Sequence, residues 1–182
     1  MSRPRFRDVC PSNTDKVWGH GYDAAYEALV LPRLPPDRAV VLEIGVHEGG
    51  SLALWSHLFP HPDTQVHGID IDARCLAHAA PPRVQVHVGC QSDLHFLTQV
   101  MDSCAPPHLI VDDGSHDPRD FEASLQHLFP MMRQDGVYVV EDVWYEFVPR
   151  LQALVRTTFD RQVLTWPSSS PNRHLAVIYR EA

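Results

Sequence analysis

An α/β fold in three layers, with a mostly parallel seven-stranded sheet that ends in an antiparallel hairpin, is what this sequence predicts. Two observations carry the prediction. Between residues 39 and 159, short apolar runs alternate with segments of helical spacing, and prolines or glycines mark most junctions. Strand–helix alternation of this kind builds a parallel sheet through right-handed crossovers. After residue 160, two strand-like runs are separated only by a short polar Ser-Pro stretch. Strands joined so closely pair antiparallel, because a parallel crossover needs about a dozen residues or more.

Each element has its own justification. The residues before Arg38 read as a loop and one amphipathic helix, 22–30. AVVLEIG (39–45) is a continuous apolar run, as a strand buried on both faces should be, and SLALWSHLF (51–59) follows at helical spacing with Ser51 as its cap. QVHGIDI (65–71) is strand-like, 72–79 helix-like with Asp72 the better cap candidate, and RVQVHVG (83–89) alternates. A turn falls at Pro81 and Pro82. A helix at 94–101, a strand at 108–112, a helix at 118–129 and a strand at 136–140 continue the pattern, with Asp117 and Pro118 forming a helix start. A last helix near 147–159 leads to the strands 161–167 and 174–180. The arrangement is Rossmann-like, more narrowly defined by its terminal hairpin.

Composition narrows the function classes. A chain of 182 residues, 44% hydrophobic, is long enough for one sizeable core, so residues 38–182 are expected to form a single domain behind a lid segment and helix at 1–37. The net charge of −8 and pI ≈ 5.8, with Lys16 the only lysine, argue against a nucleic-acid partner, which needs clustered basic residues. Cys10, Cys75, Cys90 and Cys104 show no zinc or CxxC spacing, no apolar run is long enough to span a membrane, and the first residues lack an apolar signal core. A reduced, cytoplasmic protein without a membrane partner is the expectation. The 12 histidines mostly sit in ordinary helix and strand patterns and read as surface or partly buried imidazoles.

LIVDDGSH (109–116) and GVYVVED (136–142) are the most informative stretches. Both read as buried strands that run into acidic residues. Strands of an open α/β sheet present their C-terminal ends to a common crevice, where Asp112, Asp113, His116, Glu141 and Asp142 can meet. Several carboxylates with one imidazole suit a hard divalent metal beside a general base. Asp-Gly is also an ordinary turn dipeptide, so Asp112 or Ser115 can equally organise the loop. Earlier, VLEIGVHEGGS places Glu43, Gly45, Gly49 and Gly50 at a strand-to-helix turn, in the pattern E-x-G-x-x-x-G-G rather than the GxGxxG of dinucleotide sites. Such a turn serves packing or a ligand. Asp70 ends the second strand, where a carboxylate can accept ribose hydroxyls, and Gln91, Ser92 and Asp93 end the third, where they bond an adenine edge or cap the next helix.

VLEIGVHEGGSLALW, VHGIDID, GCQSD, LIVDDGSH and GVYVVEDV, in this order, resemble the class I S-adenosylmethionine-dependent methyltransferases, and most closely the metal-dependent sugar O-methyltransferases of macrolide tailoring. The resemblance extends to TDKVWGHGYDAAYEALV and covers nearly the whole chain, and the additional N-terminal domain of the larger members is expected to be absent. It implies a cofactor site at Glu43, Gly45, Gly49, Asp70, Gln91, Ser92 and Asp93, with Asp112 as a neighbour, closed over by a segment containing Lys16, His20 and Tyr22. It implies Mg²⁺ on Asp113, Glu141 and Asp142, and His116 as catalytic base. Cys90 stands where the family usually carries aspartate, and VWYEFVP departs from its usual hydroxyl-containing continuation.

The chemistry fits these residue types. A sugar hydroxyl is a weak nucleophile at neutral pH, so a base must remove its proton while a cation steadies the developing alkoxide. Oxygen ligands suit Mg²⁺, which leaves the imidazole of His116 for the proton. Trp144 and Tyr145, with Phe147, form either an acceptor wall or core and oligomer contacts. The expected activity is S-adenosylmethionine- and Mg²⁺-dependent O-methylation of a glycosylated or polyhydroxylated small molecule by a homo-oligomer. The competing readings are a catechol or other diol O-methyltransferase, a non-catalytic cofactor-binding subunit and, disfavoured by the glycine spacing, an NAD-dependent dehydrogenase.

Overall fold

The computed structural model describes residues 3–80 and 82–180, so Pro81 of the expected proline turn lies outside the described residues. Seven strands form one sheet in the order β3-β2-β1-β4-β5-β7-β6. They are β1 (Val40–Ile44), β2 (Gln65–Asp70), β3 (Val84–Val88), β4 (Leu109–Asp112), β5 (Val137–Trp144), β6 (Val163–Pro167) and β7 (Arg173–Tyr179). The first five are parallel, and β7 inserts antiparallel between β5 and β6. The expected fold class is the observed one. Order reverses between β1 and β4, which opens a crevice at the carboxyl ends of the strands.

Helices cover both faces. On one side lie α1 (Phe6–Val9), α2 (Asp15–Trp18), α3 (Asp23–Ala25) and α4 (Gly50–Leu58), whose side chains enclose a core of Phe6, Val17, Tyr26, Leu54, Trp55 and Val111. On the other, α5 (Leu94–Asp102), α6 (Pro118–Leu128) and α7 (Val148–Phe159) bury Leu97, Leu125, Tyr138 and Leu151 against the sheet. Residues of the 1–37 segment are thus part of the first core.

Several local differences from expectation have physical causes. The helix expected at 22–30 runs as α3 and then as a wider π turn, Tyr26–Val30, before a short 3-10 turn at Leu31–Arg33. Ser51 lies inside α4. The cap is Gly49, whose φ of 72° is left-handed, and a Cβ there would meet the His78 ring at 2.6 Å. Residues 73–78 form a 3-10 helix with Asp72 capping it, as Asp117 caps α6. Strand β5 continues beyond the expected 136–140. Glu141 and Asp142 therefore lie within a strand, at a bulge where pairing skips from Val140↔Ala176 to Val143↔His174 and Asp142 takes a φ of 54°.

Candidate active site

A cavity of ≈ 920 Å³ opens at the carboxyl ends of the parallel strands. Its sheet side is formed by Gly45 and Val46 after β1, Asp70 at the end of β2, Cys90 and Gln91 after β3, and Asp113 after β4. Its opposite wall comes from the N-terminal segment, including Asn13, Asp15 and Trp18. Gly45 is required in its place: its φ is 95°, and a Cβ would lie 2.0 Å from the Asp113 carbonyl oxygen. The first loop can therefore pass tightly beside the β4 loop.

Asp70 organises that loop. Its Oδ2 accepts hydrogen bonds from the backbone N–H groups of Val46 (2.9 Å) and His47 (3.0 Å), and its Oδ1 accepts one from Asp72 (2.9 Å). Burial pushes this carboxyl upward, but the backbone donors outweigh it and hold it below the usual carboxylate range. Gln91 lines the cavity and ties two loops together. Its amide nitrogen donates to Asp112 (3.0 Å), while its oxygen accepts from the Ser115 backbone N–H (2.8 Å). Asp93 caps α5 through the His95 and Phe96 N–H groups, and Ser92 contacts the Cys90 thiol. Asp112 is buried under Gln91, Ser124 and Tyr138 rather than facing the cavity.

Behind the cavity wall lies a buried acidic cluster centred on Lys16. Its ammonium, 0% exposed, sits 3.1 Å from Glu43, 2.8 Å from Asp113 and 2.9 Å from Glu141. Burial disfavours the charged lysine, yet the three carboxylates prevail and raise its pKa well above the ordinary value. Glu43 also accepts from the Trp55 indole N–H at 2.9 Å, and Tyr26 donates its hydroxyl to Glu141. Burial, the largest influence on Glu141, raises its pKa despite Lys16. Asp142 turns elsewhere. It accepts from Tyr22 Oη at 2.7 Å and lies 3.1 Å from His20 Nδ1 and 4.0 Å from Arg173.

His116 lies on the cavity wall, its side chain 31% exposed, with Nε2 4.0 Å from Asp113 Oδ1. Its φ of 58° is a left-handed conformation that a non-glycine residue adopts at a cost. Asp113 thus stands between Lys16 and His116. Trp144 and Tyr145 do not line the cavity, Tyr145 being 68% exposed, and the Arg173 guanidinium stacks 3.8 Å over the Trp144 ring. Tyr26, Trp55 and Ser124 escape the sequence reading. One signal existed for Tyr26: Tyr22 and Tyr26 are spaced i, i+4, which sets both hydroxyls on one helical face toward residues 141 and 142.

Among the described residues, no three of His, Cys, Asp or Glu converge as a metal site. Asp113 and Glu141 both face an ammonium, and Asp142 faces a phenol and an imidazole. In this arrangement the carboxylates do not fit a shared divalent ion. Among the described residues, no helix is long and apolar enough to cross a membrane.

The sheet order, the cavity at the strand ends and its glycine turn define a methyltransferase fold, and the chain belongs to the methyltransferase-domain family whose model matches residues 42–143. Within it the chain is related to sugar O-methyltransferases of antibiotic tailoring. It is 37% identical over 116 residues to the demethylmacrocin O-methyltransferase of Streptomyces fradiae, covering 60% of this chain and 28% of that protein. It is 38% identical over 144 residues to the 8-demethyl-8-alpha-L-rhamnosyl tetracenomycin-C 2'-O-methyltransferase of Streptomyces olivaceus, covering 74% of this chain and 36% of that protein. The chain thus spans roughly a third of the length of these relatives. It also superposes on the MycE methyltransferase of the mycinamycin biosynthetic pathway, solved in complex with Mg, SAH and mycinamycin VI. The TM-score is 0.78 at 25% identity, over 97% of this chain and 54% of the other.

Proposed function

We propose that this chain binds S-adenosylmethionine in the cavity and carries out O-methylation of a sugar hydroxyl on a small natural product, with His116 as the base. The observation that carries the reading is that Asp70, Gln91 and His116, from the ends of three strands of the one sheet, line one cavity. A nucleoside-sized ligand fits its volume, the glycine turn leaves backbone accessible, and Asp70 offers a carboxylate held ionised by backbone donors. When bound, S-adenosylmethionine supplies a methyl group already activated on a sulfonium sulfur.

The residues of the chain then have to orient the acceptor, shield it and take up its proton. His116, its Nε2 4.0 Å from Asp113 Oδ1, accepts the proton from the attacking hydroxyl. Trp18 and Ile71, both exposed on the rim, supply apolar surface that excludes water once ligands fill the cleft. Magnesium accompanies the MycE methyltransferase in its complex. In this chain Lys16, Tyr22 and His20 engage Asp113, Glu141 and Asp142, the carboxylates that the resemblance assigns to a metal.

Calorimetric titration tests the cofactor: S-adenosylmethionine or its demethylated product should bind saturably, and NAD should not. Mass spectrometry of incubations with glycosides should then show a gain of one methyl group. Replacing His116 by Ala is expected to lower turnover by about 10²–10⁴-fold while leaving cofactor affinity within a few-fold. Equal loss of both would assign His116 a structural role instead.

A further inference from the structure

Two of the three carboxylates that the resemblance assigns to a metal, Asp113 and Glu141, are gathered with Glu43 around an ammonium. Lys16 reaches them from α2, a helix of the N-terminal segment far from β1, β4 and β5 in sequence, and its Nζ lies within 3.1 Å of Glu43, Asp113 and Glu141 at once. It is fully buried and surrounded by hydrogen-bonded partners of the same cluster, the Trp55 indole on Glu43 and the Tyr26 phenol on Glu141. The fourth acidic side chain, Asp142, is committed to Tyr22 and His20. An ammonium and a divalent ion carry like charge, repel steeply at such separations, and compete for the same carboxylate oxygens.

We propose that Lys16 is the resident cation of this cluster, so that a divalent ion reaches Asp113 and Glu141 only by expelling it. The N-terminal segment that carries Lys16 also walls the cavity through Asn13, Asp15 and Trp18, so expulsion of the lysine displaces that wall. Ammonium and divalent ion are alternative occupants of one place, and each corresponds to a different position of the segment. Cation exchange at the cluster requires neither methyl transfer nor cofactor, so a failure to bind S-adenosylmethionine leaves it standing.

Because Lys16 is the only lysine, amine chemistry and lysine-selective isotope labelling each report on one side chain. The intact protein, labelled with ¹³C-lysine, is treated with an acetylating reagent with and without MnCl₂, and acetylation of the Lys16 peptide is read by mass spectrometry. Without Mn²⁺, Lys16 should stay unmodified under conditions that acetylate the α-amino group fully; ready acetylation there would overturn the proposal. With Mn²⁺, the expected results are an unbroadened lysine signal and continued protection, or broadening together with a rise of at least tenfold in acetylation. A lysine signal lost to Mn²⁺ broadening while Lys16 stays protected would show the ion beside an undisplaced ammonium, and the proposal would fail. Lys16→Gln should bind Mn²⁺ at least tenfold more tightly than wild type, and equal affinity in a folded variant counts against exclusion. The footprint on wild type decides the matter if that variant does not fold.

Discussion

Single side chains in this site do two kinds of work, and substitutions should separate them. Asp70 uses both carboxylate oxygens to fix the first loop and also lines the cavity. Asp70→Asn loses the charge and part of the acceptor capacity, so the affinity for S-adenosylhomocysteine should fall by roughly 10- to 100-fold, about 1.4–2.7 kcal/mol, in a calorimetric titration. An unchanged affinity would remove Asp70 from the ligand site. Tyr26 lies wholly inside, stacked on Phe6 with ring centroids 4.7 Å apart, and its hydroxyl serves Glu141. Tyr26→Phe keeps the ring and deletes the donor beside a buried carboxylate, which should cost about 1–3 kcal/mol of stability in urea unfolding. A loss below a few tenths would mean that Lys16 alone satisfies Glu141.

Pairs of elements carry the pH response and also show what local sequence can reveal. Strands β2 and β3 bring His67 and His87 together, rings stacked at 5.4 Å with Nδ1 of the first 3.1 Å from Nε2 of the second. Burial, with the neighbouring imidazole adding to it, lowers the His67 pKa from 6.5 to about 4. A depressed imidazole leaves stability intact above the unfolded value; as pH falls from 6.5 toward 4, the unfolded chain takes up a proton that the fold refuses, and stability drops. Raised carboxyls such as Glu141 and Asp112 act in the opposite sense, so the readout is a comparison. The stability difference between wild type and His67→Gln should shift against wild type as pH falls through this window, measured by urea unfolding. A difference independent of pH would show that His67 protonates freely. Strands β1, β4 and β5 are legible because parallel strands buried on both faces read as continuous apolar runs. The end of β5 is not, since Glu141 and Asp142 look like a terminus until Lys16, Tyr22 and Tyr26 arrive from distant sequence to bury them. The sheet order sets the ends of β4 and β5 side by side, so the nearness of residues 112–116 to 141–142 follows from the predicted fold, while the side chains that hold them do not.

Over the whole molecule, the cavity depends on both ends of the chain. The N-terminal segment forms one wall, and the turn between β6 and β7 fastens it: Ser169 donates its backbone N–H to His20 O at 2.8 Å and its hydroxyl to Gly19 O at 3.0 Å. Lys16 anchors the same segment from the inside, and Arg7 pairs with Asp23 at 2.7 Å on its surface, where solvent leaves such a pair little strength. The wall is therefore held by the buried lysine and the hairpin more than by its own short helices, α1 to α3, which are too brief to persist alone. A ligand spanning the cavity touches the wall and the strand ends together and should stabilise them as one unit. Amide hydrogen exchange with and without S-adenosylhomocysteine is expected to slow at residues 12–19, 45–50, 69–71 and 89–91 at the same ligand concentration, by a common factor that rises with saturation. Protection confined to 45–50 and 69–71, with 12–19 exchanging as in the free protein, would mean that the segment is a packed neighbour of the site and does not close upon its ligand.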